Sequence, residues 1–264
     1  MPSSVKSISL ILGLILVGLL SSLICRAEAQ EPVKRRALLI GMKDYKESVG
    51  PLQNTHKDVR VMADALSAAG FEVELLLDDV PNGVTISRSK ILSKLRSHAQ
   101  ALANTPDAIS FVYYSGHGAA NEEDNRNYII PQNVDSIATA ELWDESLKLE
   151  DAIDRLTNNA PAVAHFVVFD ACRNELKLPT ESRNLSKGFV AEQAPGGVFL
   201  AFSTAEGQVA QDGRAEDVAG PFAKALSEQI TVGGQNHVTM FLRAAQKVKQ
   251  RIGQTPYIET GLLQ

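Results

Sequence analysis

Short apolar runs alternate with segments of helical hydrophobic spacing from residue 35 to about residue 258, and this alternation constrains the fold more than any other feature of the sequence. The runs at 35–41 (RRALLIG), 71–77 (FEVELLL), 108–114 (AISFVYY), 163–169 (VAHFVVF) and 198–203 (VFLAFS) read as strands, with a short edge strand expected near Tyr257. Few polar residues interrupt them, as befits strands buried on both faces. Between them, 54–69 places Val59, Met62, Ala63, Leu66 and Ala69 at helical spacing and stops at Gly70. Ile86, Ile91, Leu95, Ala99 and Leu102 give 84–103 the same character, as do Leu149, Ile153 and Leu156 for 147–157. Two more helices are expected at 221–230 and 238–252. Strand–helix alternation implies right-handed crossovers. The expectation is an α/β fold: a three-layer α/β/α sandwich around a mostly parallel six-stranded sheet.

The first 29 residues stand outside that pattern. Lys6 precedes the apolar run 8–25, which is followed by Arg26 and Ala27-Glu28-Ala29. A basic start, an apolar centre and a small-x-small end describe a secretory signal peptide cleaved after Ala29. The run also reaches about the shortest length that spans a bilayer, so an uncleaved membrane anchor is the alternative. The expected organisation is 1–29 as signal peptide or anchor and 30–264 as one folded domain. The domain would be periplasmic or secreted, or held at a membrane if the segment stays. Cys25 lies in the leader, so the mature chain keeps only Cys172 and no intrachain disulfide forms. A lone thiol in an oxidising compartment is either buried and inert or kept for its reactivity. The net charge of −5 and the lack of a basic cluster give nucleic-acid binding no electrostatic support.

In open parallel sheets, sites form beyond the carboxyl ends of the strands. The third strand leads into Ser115-Gly116-His117-Gly118 and the fourth into Asp170-Ala171-Cys172. If these strands are neighbours, His117 and Cys172 emerge side by side, with one crossover helix between them. An imidazole can take the thiol proton and later protonate a leaving amine. Gly116 and Gly118 would let the chain turn sharply and approach a substrate closely. The N–H groups of Gly118 and Cys172 could hold a tetrahedral oxyanion. His56, His98, His165 and His237 have no such context and read as structural or solvated.

An apolar strand ending in Ser-Gly-His-Gly, followed by one ending in Asp-Ala-Cys, resembles the caspase-like cysteine peptidases: caspases, metacaspases and their bacterial relatives. The resemblance extends to ALLIG at 37–41, GFEV at 70–73, NYIIP at 127–131, AFSTAEGQVAQDG at 201–213 and QTPY at 254–257. It implies a caspase-like fold, His117 as general acid/base and Cys172 as nucleophile. Caspases that cut after aspartate carry Gln two residues before the nucleophile; here Asp170 stands there, and Leu52 falls where one of their arginines is expected. By resemblance to metacaspases, Asp58, Ser115 and Asp170 would line the S1 pocket. A carboxylate there attracts Arg or Lys and repels an acidic P1 group. Asp58 has an alternative role in the first turns of a helix, where an acid favours the dipole, and Asp170 has one as an orienting or capping residue.

The expected partners are therefore proteins or peptides with a basic P1 residue; the sequence specifies no oligomeric state. No cofactor or metal site is expected. Metacaspases often need calcium, but Glu122, Glu123 and Asp124 have no second carboxylate cluster after Cys172 to complete an oxygen-rich site. The segment after Cys172 carries Lys177, Arg183 and Lys187, at which self-cleavage is expected. The rival expectation is a non-catalytic binding or signalling module of the same fold.

Overall fold

The computed structural model describes residues 33–79, 85–105, 107–137, 141–161, 163–172, 185–186, 189–205, 208 and 210–262. The 1–29 segment, expected to be a signal peptide or anchor, and the self-cleavage candidates Lys177, Arg183 and Lys187 lie outside the described residues. The elements in chain order are β1 (Arg35–Gly41), α1 (Thr55–Ala68), β2 (Glu72–Leu77), α2 (Arg88–Gln100), β3 (Ile109–Asn121), β4 (Arg126–Ile129), α3 (Glu141–Glu145), β5 (Leu147–Lys148), α4 (Leu149–Thr157), β6 (Ala164–Cys172), β7 (Leu185–Ser186), β8 (Val198–Phe202), α5 (Pro221–Ile230), α6 (His237–Ile252) and β9 (Tyr257–Thr260).

Six strands form the main sheet in the order β2-β1-β3-β6-β8-β9. The first five are mutually parallel and β9 is antiparallel to β8. The mostly parallel character is as expected, but the count of six is not: with the short strands off this path the sheet holds nine among the described residues. Three short strands add to it: β4 and β7 pair with the far end of β3, and β5 pairs with β4.

Strand side chains alternate between two cores, as the period-two pleat requires. Leu38, Ile40, Val112, Tyr114, Val167, Phe169, Leu200 and Phe202 pack with Ile91 and Leu95 of α2 and with Ile153 and Leu156 of α4. Ala37, Leu39, Phe111, Tyr113, Val168, Phe199 and Ala201 pack with Val59 and Met62 of α1, Phe222 and Leu226 of α5, and Phe241 and Ala244 of α6. Local signals mark the helix ends. Ser87 Oγ accepts the Lys90 N–H at the start of α2, Asn236 Oδ1 accepts the Thr239 N–H at the start of α6, and Gly253 stops α6 with a φ of 75°.

Several expectations need correction. β3 does not stop at Tyr114 but runs on to Asn121, and β6 runs to Cys172. Gly116 and Gly118 sit within extended β3 at ordinary φ and make no turn. They are glycines for want of space: a Cβ on Gly118 would lie 2.9 Å from Ala171 Cβ, and one on Gly116 would lie 2.8 Å from the Tyr45 hydroxyl. The polar stretch 121–127 is the turn and start of a hairpin, with Asn125 at φ 54°. The crossover from β3 to β6 holds α3 as well as α4, and 147–148 is a strand rather than helix.

Candidate active site

The parallel register of β3 and β6 pairs Ser115 with Asp170 and His117 with Cys172. The two residues expected to carry the chemistry are therefore backbone register partners on adjacent strands. His117 is fully buried, and its Nε2 lies 2.6 Å from the Gly50 carbonyl. A carbonyl only accepts, so Nε2 carries the proton, which leaves Nδ1 as the nitrogen that can exchange one. The His117 N–H donates to the Tyr45 hydroxyl at 3.0 Å, and the Tyr114 hydroxyl donates to the His117 carbonyl at 2.6 Å. The Tyr45 ring leans on the imidazole, with centroids 4.5 Å apart. Backbone, ring and tautomer of His117 are each constrained by a named neighbour.

Next to this pair the fold collects buried acids. Asp58 on α1 is 1% exposed; its carboxylate accepts from the Ser115 hydroxyl at 2.9 Å and from the Gly220 N–H at 2.6 Å. Asp58 also stands in the first turn of α1, where an acid favours the helix dipole, so both roles fit its place. Asp170 is buried and accepts from the Tyr113 hydroxyl at 2.7 Å. Asp58, Ser115 and Asp170 are thus brought together.

A third acid, Asp212, joins them and was missed from the sequence. Its carboxylate accepts the Gln53 N–H at 2.7 Å and the Asn54 N–H at 3.2 Å. The available signal was its place in a Gln-Asp-Gly step shortly after the β8 strand. Gln254, also missed, ties that loop down: its amide donates to the Ser203 carbonyl at 2.6 Å and accepts from the Gln211 N–H at 3.0 Å.

Burial, with neighbouring carboxylates, raises Asp58 and Asp170. Burial first, then Asp170, and more weakly Asp212, push Asp58 well above the usual carboxylate range, against the hydrogen bonds from Gly220 and Ser115. Burial carries Asp170 up to about 6, with Asp212 adding to it and the hydroxyls of Tyr113 and Ser203 opposing. Desolvated like charges disfavour ionisation.

The remaining candidates are engaged elsewhere. Leu52 is part of the core. His98 meets the Ser110 hydroxyl at 2.9 Å, His165 donates to the Ala160 carbonyl, His237 packs edge-on to Phe199, and His56 pairs with Asp78. Asp124 is engaged by the Tyr128 hydroxyl at 2.6 Å and Lys148 at 2.9 Å. Among the described residues no group of three His, Cys, Asp or Glu side chains is placed to hold a metal.

Residues 34–264 match the family profile described as the caspase domain. The chain belongs to the caspase-domain peptidase family. The caspase domain's fold is shared with the crystal structure of caspase-1 from Spodoptera frugiperda, with a TM-score of 0.62 over 87% of each chain at 16% identity. A curated relative, metacaspase III c of Phaeodactylum tricornutum, is 35% identical over 96 residues, which is 35% of this chain and 28% of that protein. The caspase domain here thus matches less than a third of that relative's length.

Proposed function

We propose that this caspase domain is a cysteine endopeptidase that cleaves after Arg or Lys, with Cys172 as nucleophile and His117 as acid/base. The observation that carries the reading is the His117–Cys172 register, together with the Gly50 carbonyl that fixes the imidazole tautomer. The Cys172 thiolate, its proton transferred to His117, attacks the scissile carbonyl and forms a C–S bond. The resulting oxyanion is held by the N–H groups of Gly118 and Cys172. Collapse breaks the C–N bond, and His117 delivers its proton to the leaving amine. Water, deprotonated by His117, then hydrolyses the thioester.

The acidic group beside the dyad supports a basic P1 residue. The charges acting on Asp58 and Asp170 are those of other carboxylates. A guanidinium or ammonium entering among them relieves that repulsion, whereas an aspartate side chain would add to it. Ser115, bonded to Asp58, would present the pocket's neutral acceptor.

The reading extends to export through the 1–29 segment, to self-cleavage at Lys177, Arg183 or Lys187, and to activity without calcium. N-terminal sequencing of protein from its host separates a cleaved leader from an anchor. Intact masses of wild type and Cys172→Ala, if equal, would end the self-cleavage idea. The core reading is tested by an electrophilic peptide with P1 Arg. Mass spectrometry should find one adduct on Cys172, lost in His117→Ala and outcompeted by Arg peptides. Adducts formed equally well by a P1 Asp reagent would refute the specificity.

A further inference from the structure

The loop 43–52, between β1 and α1, forms the wall behind His117. It is closed on itself: the Leu52 N–H donates to the Lys43 carbonyl at 3.0 Å, and the Gly50 N–H to the Lys46 carbonyl at 2.9 Å. Val49 and Leu52 are buried beneath it. A loop tied this way moves as a unit, so whatever holds its base also sets where Gly50 stands.

The base is held by Asp78, at the carboxyl end of β2. Its carboxylate accepts from the Lys43 N–H at 3.0 Å, from the Asp44 N–H at 2.9 Å and from His56. Asp78 is 7% exposed. Burial raises its carboxyl, but the bonds from His56, Asp44 and Lys43 outweigh this and hold it below the ordinary value, so it accepts as a carboxylate. Across the loop, the Tyr45 hydroxyl is held separately by the Ile130 carbonyl at 3.1 Å, whereas the contacts of Lys46 and Ser48 with Asp135 are exposed. Exposed ion pairs fix geometry weakly.

We propose that Asp78 is a positioning residue for the His117–Cys172 reaction: its carboxylate fixes the base of the 43–52 loop, and through it the Gly50 carbonyl that orients His117. This rests on the peptidase reading. Asp78 touches neither substrate nor dyad and acts only through the loop. Small misplacements of a catalytic group cost up to about 100-fold in rate.

The test uses the full chain with Asp78→Asn, which keeps the side chain's shape but puts a donor where an acceptor was, and Lys46→Gln as the surface control. Asp78→Asn should lower kcat by about 10- to 100-fold with KM within about twofold, and should shift or broaden the His117 Nε2–H NMR signal. Lys46→Gln should change neither. An unchanged His117 signal and kcat in folded Asp78→Asn would overturn the proposal, and so would equal losses in Lys46→Gln. If wild type cleaves no peptide, the peptidase reading fails; the His117 signal still reports on Asp78. Hydrogen exchange on wild type covers a variant that does not fold. The Lys43 and Asp44 amides should be protected, and exchange at the rate of free peptide would overturn the assignment.

Discussion

Asp58 and Asp170 sit on α1 and β6, both buried and both titrating above the usual carboxylate range. Their cost to the fold follows from the sign of that shift. Between the unfolded value near 3.8 and about 6 the folded chain binds more protons at Asp170 than the unfolded chain does. Stability is therefore highest below the unfolded value and falls as pH rises through about 6. Asp170→Asn should gain about 2–3 kcal/mol at pH 7.5 and almost nothing at pH 4, read by urea unfolding at the two values. The same variant should lose most of its cleavage after Arg. A second consequence concerns substrate. KM for a P1 Arg peptide should fall as pH rises through about 6, because the pocket gains charge; a flat KM would mean that these acids do not contact P1.

β3 and β6 carry the site, and their closeness depends on side chains kept small. Gly118→Ala would set a Cβ 2.9 Å from Ala171 Cβ and 3.0 Å from Phe169 Cζ, with no flexible neighbour to yield. The strands should separate where His117 pairs with Cys172, costing about 1–3 kcal/mol in stability and lowering kcat more than it raises KM. Steady-state kinetics with thermal unfolding checks both. These elements also mark what was legible in the sequence. Apolar strands such as 35–41 and 198–202 announced themselves by composition, because a strand buried on both faces must be apolar throughout. The continuation of β3 through Ser115-Gly116-His117-Gly118-Ala119-Ala120-Asn121 did not, since small residues carry little strand preference. It is a strand because β6 and β4 pair with it on both sides. Cys172 and His117 could be picked out by the Ser-Gly-His-Gly and Asp-Ala-Cys motifs that follow two apolar runs, although His117 lies inside β3 and not at its end. Gly50 and Tyr45 could not, because a loop's contribution of a carbonyl and a hydroxyl leaves no periodic trace. Asp212 was hidden for a similar reason: its partners, Gln53 and Asn54, are about 160 residues away.

In the whole molecule, two cores flank one sheet, and the site lies at the edge where β1, β6 and β8 end. Loops from both halves of the chain meet there: 43–52 supplies Gly50 and Tyr45, and 203–220 supplies Asp212 and the Gly220 N–H. Gln254→Ala should loosen the second loop alone, raising KM for P1 Arg several-fold with little change in kcat, the reverse of the Asp78→Asn pattern. Asp124 of the β3–β4 hairpin is already engaged by Tyr128 and Lys148, so activity should survive chelator unchanged; abolition by chelator and recovery with calcium would contradict that. The central claim joins the His117–Cys172 pair to an acidic pocket, and one measurement tests it most directly. Peptides differing only at P1, as Arg, Lys, Asn or Asp, are offered to wild type and to Cys172→Ala. The account predicts turnover of the Arg and Lys peptides by wild type alone. Turnover of the Asp peptide, or of any peptide by Cys172→Ala, would contradict it.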